Sequence, residues 1–201
     1  ENEGALLAQI KAPIYTCQSS VFQAMSYRDR PDGILAVAKM QHQSLDSLKS
    51  SNPFYVVAEA IEKPGNLGTI LRSADGAGAD GVIVADACTD LFNPNVVRSS
   101  VGTLFTQPVV EAKGDVIFDW LKANQIAIVA ATPSAKAVYT DVDLKGPVAI
   151  LVGTEQYGLS ERWMNHCDIQ VKIPMKGVAD SLNVAMATTL LLYEVARQRR
   201  V

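Results

Sequence analysis

An α/β fold, with an open, mostly parallel sheet covered by helices, is what this sequence predicts, and three observations carry the prediction. From Phe54 onward, short apolar runs alternate with helical segments as far as the C-terminus. The runs FYVVAEAI (54–61), DGVIVAD (80–86), IAIVAAT (126–132) and PVAILVG (147–153) lack the polar alternation of a strand with one wet face, so each is expected to be buried on both sides. Helical segments separate them, as parallel strands with covering helices require.

The first 40 residues read differently. Leu6, Leu7 and Ile10 suggest a helical fragment, SSVFQAMS from Ser19 a short capped helix, and GILAVAKM from Gly33 a strand. QHQSLDSLKSSNP at 41–53 is polar and ends in an Asn-Pro turn signal, so it is expected to be a linker. After the strand 54–61 comes the loop EKPGN, with Asn66 as a candidate helix cap, then a helix at Leu67–Ala77 and the strand 80–86. VVRSSVGTLF is expected to be helical beyond the Asn93-Pro94 turn, PVVEA (108–112) a short strand, and VIFDWLKANQ a helix before the strand 126–132. Strand 147–153 leads into a helix at LSERWMNHC, a strand at IQVKIP (169–174) and a long closing helix, 181–200.

Composition narrows the functional classes. A chain of 201 residues has room for a full α/β core. No apolar run approaches the roughly 20 residues that a membrane span needs. ENEGALLAQIKAP at the N-terminus is acidic where a secretory signal would be basic, so the chain reads as cytoplasmic. Cys17, Cys88 and Cys167 are odd in number and far apart, as expected for reduced, partly buried thiols. Neither His42 nor His166 with Cys167 forms a spaced ligand set, so no metal is expected. A net charge of −3 does not announce a nucleic-acid binder, but a local basic patch is enough to steer a phosphate backbone.

The familiar nucleotide and hydrolase motifs are missing. Gly76 to Gly81 spells G-x-G-x-x-G, yet a helix ends there and a strand follows, the reverse of the dinucleotide context. Those glycines read as a helix C-cap and tight turn. Neither GxxxxGK[ST] nor GxSxG occurs. Three polar or glycine-rich loops at carboxyl strand ends stand out instead, where open parallel sheets bind ligands. The first runs from Glu62 to Arg72, the arginine flanked by apolar Ile70, Leu71 and Ala74. A second, Gly153 to Ser160, has glycines that permit a sharp turn with exposed N–H groups. In the third, Ile173 to Ala185, Ser181 and Asn183 stand at the positive end of the closing helix.

These three blocks resemble the signature motifs of the SpoU-type (TrmH-like) RNA ribose 2′-O-methyltransferases of the SPOUT superfamily. EKPGNLGTILRSADGAGADGVIV (62–84) is similar to the first motif, LVGTEQYGLS (151–160) to the second and IPMKGVADSLNVAMATTLLLYE (173–194) to the third, in the family's order and spacing. RSSVGTLF (98–105) resembles the family's segment near the target nucleoside, which suggests Arg98, Ser99 and Ser100 as substrate contacts. Residues 1–40 resemble the end of a small L30e-like RNA-binding domain, with 41–53 as linker and 54–201 as the methyltransferase domain.

The resemblance implies a deep C-terminal trefoil knot, a homodimer with its active site near the subunit interface, and S-adenosylmethionine as cofactor without metal. It implies that Ala131, Thr132, Gly153, Thr154, Glu155, Ile173, Met175, Ser181 and Leu182 line the cofactor loops. Arg72 would take or relay the ribose proton, Asn66 would fix Arg72 or the ribose, and Asn183 would shape the pocket. Glu155 would anchor its loop or pair with Arg72. The expected substrate is structured RNA, ribosomal first and transfer RNA as the alternative. The rival expectations are an inactive RNA-binding or ribosome-associated module, and a small-molecule or base-modifying enzyme, on the same fold.

Overall fold

The computed structural model describes residues 3–27 and 33–200, which cluster into two units, Glu1–Gln41 and His42–Val201. The first unit contains helices α1 (Glu3–Gln9) and α2 (Ser19–Met25). The position before α2 is Gln18, whose side chain makes no capping bond, so Ser19 begins the helix without capping it. The strand expected from Gly33 does not form. Val37 is 93% exposed, and no partner segment among the described residues of this unit completes its ladder. Residues 28–32, between the two expected elements, lie outside the described residues.

The second unit runs β1 (Phe54–Glu59), α3 (Pro64–Ala77), β2 (Gly81–Ala85), α4 (Pro94–Ser100), β3 (Val109–Ala112), α5 (Gly114–Ala123) and β4 (Ala127–Ala131). It continues through β5 (Ala137–Val138), β6 (Val148–Val152), α6 (Glu161–His166), β7 (Ile169–Lys172) and α7 (Val184–Arg199). The seven strands form one sheet in the order β3-β2-β1-β6-β4-β7-β5, and every ladder in it is parallel. The strands alternate their side chains between two apolar layers. Val56, Val84 and Ile150 meet Leu67, Ile70 and Leu71 of α3 and Leu191, Leu192 and Val195 of α7. Tyr55, Val57, Ile83 and Leu151 meet Ile117 and Leu121 of α5 and Trp163 of α6. Both faces are thus covered, which explains the uninterrupted apolar character of the strands.

Several local expectations need correction. Helix α3 starts three residues early because Pro64 occupies its first turn, where a missing N–H costs nothing. Asn66 therefore lies inside that turn and does not cap it. Helix α7 starts at Val184 rather than Ser181, since the Asn183 side chain accepts from the Ala185 N–H at 3.0 Å and caps it. The segment 41–53 is packed: Leu45 and Leu48 are buried beneath the second apolar layer, and Gln43 bridges to Val110. Cys17 and Cys88 are exposed and only Cys167 is half-buried, all three as free thiols. The two-residue β5 is too short to leave a periodic signal. Gly78 ends α3 in the left-handed conformation (φ 76°), as the C-cap reading requires. Among the described residues, no helix is long and apolar enough to cross a membrane.

Two contacts set helices where the site needs them. Gly68 allows α4 to approach α3, for a Cβ there would lie 2.6 Å from the Val96 carbonyl oxygen and 2.0 Å from Ser99 Oγ. At the far end of α7, the Arg199 guanidinium donates to the carbonyls of Asn52 (2.9 Å), Pro53 (2.9 Å) and Gly146 (2.6 Å). It also lies over the Phe54 ring, 5.3 Å from the centroid. Gln198 accepts from the Leu144 N–H and donates to the Val142 carbonyl. The C-terminus of α7 is thereby fastened to the amino ends of β1 and β6. Arg199→Met is expected to lower unfolding free energy by about 2 kcal/mol, because charged donors leave carbonyls unpaired. Urea unfolding will show this as a lower midpoint at unchanged slope.

Candidate functional site

The carboxyl ends of β1 and β6 lie side by side, Ala58 opposite Val152. From this line the chain moves to β2 and β3 on one side, while β4, β7 and β5 lie on the other. Loops diverge at such a junction and leave a crevice at the strand ends. β1 delivers Glu62, Lys63 and, through the start of α3, Asn66. β6 delivers Gly153, Thr154 and Glu155. Ala130 of β4 pairs with Leu151, and Ala131 with Val171, so Ala131 and Thr132, Gly153 to Glu155, and Ile173 to Met175 follow three adjacent strands. The expected cofactor-loop residues on these strands are brought to one edge of the sheet.

The loop after β6 has a fixed shape. Thr154 and Gly158 exchange two backbone hydrogen bonds of 3.0 Å each, and the Thr154 hydroxyl accepts from the Tyr157 N–H. Gly158 has φ 69°. A Cβ on Gly153 would fall 2.3 Å from the Gly158 carbonyl oxygen, so that position tolerates no side chain in this turn. Buried Glu59 at the end of β1 accepts from the Ser160 N–H at 2.9 Å and fastens the loop's far end.

This loop holds Glu155 against the first turns of two helices. Lys63 pairs with Oε2, while Oε1 accepts from Asn66 Nδ2 and Asn183 Nδ2, both at 2.7 Å. Asn183 Nδ2 also donates to Asn66 Oδ1 at 3.1 Å. The Lys63 ammonium holds the Glu155 carboxyl below the ordinary glutamate range, with help from the Asn66 amide and the Val184 backbone against an opposing effect of burial. A carboxylate with a depressed pKa contributes stability above its unfolded pKa, and loses it as pH falls through the folded value. The cluster is therefore fully formed at neutral pH and loosens only in acid, below the usual glutamate titration.

Glu155 thus anchors its loop through Lys63, and the alternative pairing with Arg72 does not form. Arg72 is exposed on α3, six residues past Asn66, a separation that puts the two on different sides of the helix. Among the described residues it has no hydrogen-bond or ion-pair partner. Its neighbour Ser73 meets Thr189 of α7 across 2.7 Å. Beyond that contact, Met186 (64% exposed), Leu190 (41%) and Tyr193 (46%) form an apolar strip on α7. The strip does not pack on its own sheet; Leu191, Leu192 and Val195 take that role.

The remaining expected residues divide. Ser181 binds its neighbour Asp180 (3.1 Å) and Leu182 is 37% exposed, both in the loop before α7. No main-chain hydrogen bond links residues 174–182 to any other described residue, so this loop keeps its backbone donors and acceptors free. On α4, Arg98 is exposed. Ser99 donates to the Asn95 carbonyl at 2.6 Å. Ser100 is completely buried and its hydroxyl returns to the Val97 carbonyl, so burial removes it from any substrate contact. The sequence reading passed over Lys63 and Glu59, because their partners lie 92 and 101 residues away and no local signal marks such pairs. A wider concavity at the amino edge, lined by Leu48, Tyr55, Trp120 and Pro147, contains none of the expected site residues. No cluster of metal-ligating side chains is present among the described residues.

Comparison with known proteins identifies the family. Residues 53–193 match the SpoU rRNA Methylase family. The chain is 40% identical over 179 residues to a Streptomyces viridochromogenes protein named as a 23S rRNA (uridine(2479)-2′-O)-methyltransferase, covering 85% of this chain and 62% of that protein. It is 32% identical over 181 residues to a Bacillus subtilis 23S rRNA (guanosine(2553)-2′-O)-methyltransferase, covering 90% of this chain and 71% of the relative. Among solved structures, an AdoMet-bound rRNA methyltransferase from Sinorhizobium meliloti superposes with a TM-score of 0.85 at 33% identity, over 90% of this chain and 70% of that one.

The geometry of the loop after β6 generates a direct test. Gly153→Ala is expected to break the Thr154–Gly158 pairing while leaving the sheet intact. Hydrogen exchange should quicken at the Thr154 and Gly158 amides by roughly tenfold or more, the equivalent of at least 1.4 kcal/mol of local stability, with the β1 and β6 amides unchanged.

Proposed function

Because the chain belongs to the SpoU rRNA methylase family, we propose that it transfers a methyl group from S-adenosylmethionine to a ribose 2′-hydroxyl of structured RNA. Ribosomal RNA is the first candidate, after the names of the relatives, and transfer RNA the second. The observation that carries this reading is the gathering of the Glu155 cluster and three adjacent strand-end loops at one edge of the sheet.

The residues present suit the cofactor. Ala131 and Gly153 are small where the strands end, and the open backbone groups of 174–182 offer donors and acceptors to a polar ligand. S-adenosylmethionine supplies a methyl group on a cationic sulfur that departs as a neutral thioether, so no metal is needed to activate the donor. A ribose hydroxyl is a weak nucleophile and must be aligned with that methyl group while it loses its proton. Glu155 is committed as acceptor to Lys63, Asn66 and Asn183 and does not serve as the base. Arg72, unpartnered and cationic, is the group left to grip the RNA beside the reactive ribose. Guanidinium geometry suits a phosphate, and the hydroxyl proton passes to that phosphate or to a water held with it. Asn183 caps α7 and sets the loop that carries Ser181 and Leu182.

The proposal extends to assembly. The Met186–Leu190–Tyr193 strip beside Arg72 fits a homodimer interface that would bring the active site next to a second subunit. A deep trefoil knot would account for the return of the chain from β7 through 173–183 to α7. Residues 1–40 fit the end of a front RNA-binding domain, and their separation from the rest at Gln41 supports this. The enzyme would act in the cytoplasm.

Four outcomes test the reading. S-adenosylhomocysteine should bind at one site per subunit in chelating buffer by titration calorimetry. Arg72→Ala should slow single-turnover methylation by roughly 100-fold or more, the scale of a misplaced nucleophile, and keep cofactor affinity within about twofold. Nucleoside digestion of the product should release a 2′-O-methyl nucleoside; a base-methylated product, or RNA binding without transfer, contradicts the proposal. Light scattering should report a dimer at micromolar concentration, reduced to a monomer by Leu190→Asp; a monomeric wild type would refute the dimer.

A further inference from the structure

We propose that Lys63 is a positioning residue for methyl transfer, acting through Glu155 to hold the side-chain amides of Asn66 and Asn183 in a single orientation. The inference rests on the methyltransferase reading of this site. Lys63 stands at the N-cap position of α3 in extended conformation (φ −87°, ψ 117°), and its side chain makes no capping bond there. It crosses instead to Oε2 of Glu155, on a loop 92 residues away.

With Oε2 occupied, Oε1 is turned to receive Asn66 and Asn183 together. The two amides then have no freedom to flip. Asn66 must direct its NH2 to Glu155 and its oxygen to Asn183 Nδ2, while the oxygen of Asn183 caps α7 through the Ala185 N–H. The two amide bonds to Oε1 use Glu155 as an acceptor. Without the ammonium the carboxylate can rotate, and the two asparagines share an acceptor of undefined direction. Asn183 precedes α7 directly, so any looseness there passes to Ser181 and Leu182.

An ordinary solvated ion pair would behave differently. The Lys63 side chain is 69% exposed, and such pairs add little to stability. The two roles therefore separate experimentally, because a positioning residue affects turnover without much effect on unfolding.

The experiment compares wild type, Lys63→Met and Lys63→Arg in the full chain. Readouts are methylation at saturating S-adenosylmethionine with RNA varied, S-adenosylhomocysteine affinity, thermal unfolding, and carbon-13 NMR titration of the Glu155 carboxyl. Lys63→Met should lower kcat about tenfold with KM for RNA within about twofold, the pattern of an interaction needed in the transition state. Its Tm should remain within about 2 °C of wild type, since little stability is lost. Lys63→Arg should recover most of kcat, and the Glu155 midpoint should rise in Lys63→Met but not in Lys63→Arg. Wild-type kcat in Lys63→Met, or a loss confined to KM for RNA, overturns the inference while the functional reading stands. A wild-type chain that transfers no methyl group to ribosomal or transfer RNA overturns both.

Discussion

The Glu155 carboxylate is the contact on which the rest of the site depends. It stands on the loop after β6 and accepts hydrogen bonds from the first turn of α3 and from the residue that caps α7. Three segments distant in sequence thereby share one anion. Helix N-termini present unpaired N–H groups and a partial positive charge, so a carboxylate between two of them is well placed even where water reaches it. The ammonium of Lys63 completes its neutralisation. Were Glu155 neutral, it would lose its ion pair with Lys63 and accept more weakly from Asn66 and Asn183.

At the opposite edge of the sheet, Arg199 gathers three backbone carbonyls. Helix α7 is therefore held by charge at both ends: an anion at its start and a cation at its finish, each the sign its dipole favours. Between them, one side of the helix fills the core and the other leaves Met186, Leu190 and Tyr193 exposed. The arrangement separates the jobs of a transfer site. Under the proposed function, the strand-end loops would receive the cofactor, the Glu155 cluster would keep those loops in place, and Arg72 would face the RNA. The net charge of −3 is no obstacle to that reading, because a local cation is enough to meet a phosphate.

Much of the architecture was legible in the sequence for a plain reason. Strands buried on both faces must be apolar throughout, so β1, β2, β4 and β6 announced themselves. Ends of elements were less legible: Pro64 drew α3 back by three residues, and Asn183 rather than Ser181 proved to be the cap of α7. The strand expected from Gly33 failed because an apolar run specifies a strand only when a neighbour completes its ladder. In the site, residue types were readable from the three motif blocks, while pairings were not. Nothing near Glu155 in the chain indicates that it chooses Lys63 over Arg72, since that choice is made by the register of β1 against β6. Ser100 carries the same lesson in reverse, a polar residue in a suggestive segment whose hydroxyl the helix itself consumes.

The central claim is that the loops at the carboxyl edge of β6, β4 and β7 form one cofactor site, and hydrogen exchange with and without S-adenosylhomocysteine tests it most directly. The account predicts protection in 131–135, 153–159 and 173–183, with no change around Leu48, Tyr55 and Trp120 at the amino edge. Protection centred on the amino edge, or none at saturating ligand, would contradict it.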